Sequence, residues 1–92
     1  MVSLLSCPKP HDGVIAREVE GEVLLLSREQ GQLHKLNASA SFVWRSCDGT
    51  QTVADIARRL ADVYRLPRPQ AEQDVLQAVT ALVALGVVVV EF

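Results

Sequence analysis

The stretch Gln32–Gly49, QLHKLNASASFVWRSCDG, decides the fold, because the spacing of its apolar residues changes halfway along it. Gln32 to Leu36 is a short run that follows a tight-turn sequence, Glu29-Gln30-Gly31, and reads as a strand. Asn37 then offers a side-chain oxygen to an unpaired amide of a first helical turn. Behind it Ala40, Val43, Trp44 and Cys47 recur at i, i+3, i+4 and i+7, one face of a helix. Asp48-Gly49 ends that helix, glycine being suited to the left-handed position just past a helix end. A strand hands over to a helix here, and the two sides of the handover read differently throughout.

Toward the N-terminus the chain reads as strands. Val23 to Leu26 is a continuous apolar run, the pattern of a well-covered central strand. Val14 to Val19 is another short run, joined to it by Glu20-Gly21, a plausible tight turn. Connections this short allow only antiparallel pairing, so the three strands form a meander. Residues 1–13 are punctuated by Pro8, Pro10 and Gly13 and are expected to be an irregular, partly mobile lead-in. Residues 14–92 are expected to be a single domain.

Toward the C-terminus it reads as helices. Thr52 and Asp55 resemble a capping box, with Asp in place of the usual Glu. Val53, Ile56, Ala57, Leu60, Val63 and Tyr64 trace one stripe, and Asp55, Arg58, Arg59 and Asp62 face water. Pro67 and Pro69 open a third helix, where proline is tolerated in the first turn. Val75, Ala78, Val79, Leu82 and Leu85 make its core face, Gly86 closes it, and Val87 to Val90 is strand-like. The expected fold is α+β, a small winged-helix-like domain with a three-stranded antiparallel meander followed by three helices.

Composition bounds the function. At 92 residues the chain is one domain, and 49% hydrophobic content is too much for disorder. The net charge is −2 and no Lys or Arg follows Arg68. A DNA-reading third helix needs basic groups for phosphate contacts, and this one offers Glu72 and Asp74. A winged-helix DNA-binding regulator therefore stands only as a rival from another class; nucleic acid is not an expected partner. His11, His34, Cys7 and Cys47 lack the short paired spacing of a zinc site. No glycine-rich phosphate loop occurs, and no nucleophile elbow surrounds Ser39, Ser41 or Ser46. No catalytic residue, metal or cofactor is expected. The apolar run within the opening MVSLLSC is far shorter than the ~7–15 residues of a signal sequence and no basic residue precedes it, and no run reaches the ~18 needed to span a membrane. A cytoplasmic protein with reduced thiols, not bound to membrane, is expected.

Surface patterning points to binding. Leu76 and Val83, seven residues apart, form a second apolar pair outside the main stripe of the third helix, bordered by Gln73 and Thr80. The third strand, Gln32 to Leu36, is an edge unless something covers it. A free strand beside exposed apolar groups makes a groove for an extended peptide, with backbone bonds from the strand and side-chain pockets from the helix. The competing expectation is that Val87 to Val90, or a second copy of the chain in a homodimer, covers that surface.

The segment LHKLNASASFVWRSCDGTQTVADIARRL, Leu33 to Leu60, resembles the signature of the PqqD family, with Leu36-Asn37, Asp48-Gly49, Thr52-Val53 and Ile56 matching. LQAVTALVALGVV, Leu76 to Val88, looks like the family's closing helix and glycine. The resemblance implies a non-catalytic domain that binds the leader of a ribosomally made precursor peptide and presents it to a modifying enzyme. In pyrroloquinoline quinone (PQQ) biosynthesis these partners are the precursor PqqA and the radical S-adenosylmethionine (radical SAM) enzyme PqqE. In the family the peptide lies as an added strand between the third strand and the third helix. Carried over, this implies Gln32, Leu33, His34 and Lys35 on the strand side, and Leu76, Val79, Thr80 and Val83 on the helix side. The turn Ser27–Gly31 lacks the family's Pro-Glu-Gly, and Trp44 replaces a smaller aliphatic residue. A stand-alone recognition domain of another modified-peptide pathway is therefore the alternative.

Overall fold

The computed structural model describes residues 1–91. Its elements are β1 (Cys7–Pro10), β2 (Val14–Val19), β3 (Glu22–Ser27), β4 (Gln32–Lys35), α1 (Ala38–Ser46), α2 (Val53–Tyr64), α3 (Arg68–Ala84) and β5 (Val88–Glu91). The expected meander is present: β2, β3 and β4 form an antiparallel sheet in that order. Glu20 (φ 53°) and Gly21 (φ 82°) join β2 to β3. Two successive positive φ values are those of a type I′ turn, whose twist suits a hairpin. In β3, Val23, Leu25 and Ser27 are buried, so the sheet presents that face to the helices.

The corner between sheet and helices depends on one hydroxyl. Leu36 N–H donates to Val23 C=O at 2.8 Å, continuing the β3–β4 ladder by one pair. The return bond is replaced by a bridge: Val23 N–H donates to Ser41 Oγ at 2.9 Å, and Ser41 Oγ donates to Leu36 C=O at 3.3 Å. Ser41 sits in α1 and is fully buried, so the bridge fastens helix to sheet where water cannot substitute. Ser41→Ala should therefore cost about 1–3 kcal/mol, the range for stranding a buried polar partner. A lower urea midpoint at unchanged slope is the expected readout.

The helix boundaries follow the predicted caps. Asn37 Oδ1 accepts from Ala40 N–H at 2.8 Å. Thr52 and Asp55 form a reciprocal capping box, at 3.1 Å from Asp55 N–H to Thr52 Oγ1 and 3.0 Å from Thr52 N–H to Asp55 Oδ2. Hydrogen bonding from the Thr52 backbone and then from its side chain, helped by nearby Arg58, holds the Asp55 carboxyl below its ordinary value of 3.8 despite some desolvation. A lowered folded-state value adds stability above the unfolded value, and that stability is lost as pH falls through the folded value. The stability gap between the native chain and Asp55→Asn should thus be widest near neutral pH. In acid titrations followed by circular dichroism it should close below pH 3.8.

Ile56, Ala57, Leu60, Val75, Val79 and Leu82 from α2 and α3 meet Val23, Leu25, Val43 and Trp44 in the core. The expected stripe of α2 stops at Leu60, since Val63 and Tyr64 are 61% and 43% exposed. The last turn of α2 extends past the core, and there Tyr64 meets Phe42 edge-on at 6.0 Å between ring centroids.

Part of the lead-in expected to be irregular is ordered: β1 pairs antiparallel with β5, Pro8 opposite Val90 and Pro10 opposite Val88. The register explains why two prolines are tolerated. His11 N–H donates to Val87 C=O at 2.9 Å, so by alternation Lys9 and Cys7 face β5 with their amides. Pro8 and Pro10 occupy the positions whose amides would point away, and proline's missing N–H removes nothing from the ladder. Further up, Ser6 and Leu4 carbonyls accept from Val53 and Ala54 N–H at 2.9 and 3.0 Å. They satisfy first-turn amides of α2 that have no partner inside the helix. The terminal valine run is therefore engaged by β1 and not by β4.

Candidate functional site

The ladder geometry shows what the outer edge of β4 offers. Leu36 bonds to Val23, so pairs alternate inward from there: His34 exchanges bonds with Leu25, whereas Leu33 and Lys35 turn their N–H and C=O groups away from β3. Among the described residues no strand is paired on that side. Side chains alternate as well. His34 lies on the helix-facing side with Leu25, and Leu33 (66% exposed) and Lys35 lie on the outer face. Lys35 Nζ is 3.4 Å from Glu22 Oε1 across the strands.

Helix α3 runs alongside this edge in the opposite direction. At one end of β4, a Cβ on Gly86 would lie 3.1 Å from the Gln30 side-chain amide. At the other end, Asn37, Ser39 and Ala40 share an open cleft with Asp74, Gln77, Ala78 and Ala81, floored by Val43 and Leu60. The α3 wall of that cleft, next to the Asn37 end of β4, is therefore the flank Asp74, Gln77, Ala78 and Ala81, at helical spacing. Asp74 accepts from Gln70 Nε2 at 2.8 Å, which leaves an acidic group at the Asn37 end.

The residues expected to line the groove divide. Gln32, Leu33, His34 and Lys35 all lie on the edge strand. Val79 is 0% exposed, a core residue beneath the surface. Leu76, Thr80 and Val83 line clefts shared with Met1, Val2 and Val90. Gln77 and Ala81 border one of these clefts as well. At about 100° per residue, Leu76 and Val83 fall on one flank of the buried stripe and Ala78 and Ala81 on the other. Ala78, expected in the core, is only half-buried. Its shortness, with that of Ala81 three residues on, was the sequence signal for this wall.

Cys47 is held as a neutral thiol. Burial, then the neighbouring Asp48 charge, push the Cys47 thiol up to about 12, and it donates to Val43 C=O at 3.1 Å. It is a core group, far from a thiolate nucleophile. Among the described residues no group of His, Cys, Asp and Glu is arranged to hold a metal ion, and no helix is long and apolar enough to cross a membrane. His34 Nε2 stands apart as a buried nitrogen with no hydrogen-bond partner.

Residues 22–88 match the sequence profile of a family described as Coenzyme PQQ synthesis protein D (PqqD). Among solved structures the chain is similar to TbiB1 in complex with the TbiA(beta) leader peptide, at 25% identity and a TM-score of 0.81, covering 87% of this chain and 93% of that one. A lasso peptide synthetase B1 complexed with its leader peptide shares the fold at 23% identity and a TM-score of 0.81, over 90% of this chain and 98% of that one. The PqqD truncation of Methylobacterium extorquens PqqCD, described as a functional, stand-alone recognition element for ribosomally synthesised and modified peptides, is 28% identical with a TM-score of 0.73. There 89% of this chain and 87% of that one are covered. No curated protein matches in sequence.

Proposed function

The chain belongs to the PqqD family, whose domains are non-catalytic binding domains, and from that premise we propose that it binds the leader of a ribosomally made precursor peptide as an added strand on β4. The observation that carries this reading is the outward-turned backbone of Leu33 and Lys35, with an open cleft between the Asn37 end of the strand and the Ala78 and Ala81 flank of α3. Strand addition takes its affinity from such main-chain groups and its selectivity from the pockets that receive alternate side chains. The strand residues Gln32 to Lys35 keep the role the family resemblance assigns them. On the helix side that role passes from Leu76, Thr80 and Val83 to the opposite flank.

The bound leader is held for a modifying enzyme. A PqqA-like precursor and a PqqE-like radical SAM enzyme are the first assignment, since the family bears the name of the quinone pathway. Another modified-peptide pathway is the second, supported by the likeness to TbiB1, a leader-binding structure at comparable identity. Fluorescence anisotropy with labelled synthetic PqqA-type and lasso-type leaders tests both. Saturable binding to one of them selects the pathway. Absence of saturation with both at tens of micromolar removes the reading.

A further inference from the structure

We propose that His34 sets which guest strands β4 accepts, by pairing its imidazole with a guest side chain that ends in an oxygen. The inference rests on strand addition at β4 and deepens it to the chemistry of one guest position. His34 stands opposite Leu25, a fully buried residue, so its side chain lies on the helix-facing side of the sheet. Its Nε2 is buried and has no hydrogen-bond partner. Buried polar atoms are nearly always paired, and an exception calls for a reason.

The pairing pattern supplies one. On the free side of β4 the backbone bonds to a guest come from Leu33 and Lys35, so His34 and the guest residue facing it form a non-hydrogen-bonded pair. In such pairs the strands come closest, about 4.5 Å between Cα atoms, and facing side chains touch. That guest side chain points to the same, helix-facing side of the sheet as the imidazole. Histidine χ2 is a soft torsion, so the ring turns its nitrogen to a guest without moving the strand. A hydroxyl, carboxamide or carboxylate oxygen completes the missing bond. An aliphatic side chain there leaves the nitrogen as it is in the free domain.

The test sorts a phage-displayed library of random short peptides in parallel against the full chain, His34→Leu and His34→Gln. The native chain should enrich oxygen-bearing residues at one fixed position of an alternating pattern. His34→Leu should enrich aliphatic residues at that position and bind the native-selected peptide about tenfold more weakly; His34→Gln should keep the oxygen preference. His34→Leu should also melt at or above the native temperature, because it removes an unpaired buried polar atom. The same residue preference in the native and His34→Leu pools overturns the role of His34 and leaves strand addition standing. A lower melting temperature for His34→Leu overturns it too, by revealing a partner for the nitrogen. Failure of the native chain to enrich any peptide overturns strand addition itself.

Discussion

Leu33→Pro is expected to weaken leader-peptide binding by about 10- to 100-fold while the domain stays folded. The amide of Leu33 points away from β3, so proline takes nothing from the native ladder, and edge strands tolerate it for that reason. The lost side chain is mostly in water. What changes is the free side. The pyrrolidine ring stands where a guest carbonyl would accept a bond, and stranding that carbonyl costs about 1–3 kcal/mol, hence the predicted loss. His34→Pro is the control, because its amide faces Leu25. That variant should melt lower, since it breaks the β3–β4 ladder. Unchanged anisotropy titrations for Leu33→Pro would mean that peptides bind elsewhere on the domain.

Ile56→Ala should be strongly damaging to the fold. Ile56 is 0% exposed near the start of α2, packed in the cluster that joins α2 to α3 and β3. Removing its branched side chain leaves a cavity that a tightly packed interior fills only in part, at about 2–5 kcal/mol. A domain of this length has a total stability of roughly 5–14 kcal/mol, so from about a seventh to all of it is at stake. With a shift of about 4–8 °C per kcal/mol for small domains, melting should fall by about 8–40 °C. Val63→Ala, on the same predicted stripe but 61% exposed, should change stability by about 0.5 kcal/mol or less. Parallel thermal melts by circular dichroism compare the two. Equal melting points would place the end of the packed stripe beyond Leu60.

Asn37, the Thr52/Asp55 box and Gly86 were legible because capping is a matter of residues three or four apart. The I′ turn at Glu20-Gly21 was legible for the same reason. Pro8 and Pro10 misled, because a proline breaks a strand only if its amide faces the partner, and the partner lies some eighty residues away. Val63 and Tyr64 misled because periodicity marks the apolar side of a helix and not how far its neighbour extends.

The amino-acid order alone determined which residues pair locally, which turn and which cap, and therefore the meander and the three helices. Only the packed structure decided that the valine run is taken up by β1, which leaves the outer edge of β4 unpaired among the described residues. It also decided that the Ala78/Ala81 flank of α3 shares a cleft with Asn37, Ser39 and Ala40, and that Val83 shares one with Met1, Val2 and Val90. The physical reason is one of range. Periodicity and capping act within a few residues, whereas the flank of a helix that meets a strand depends on every other element packed around it.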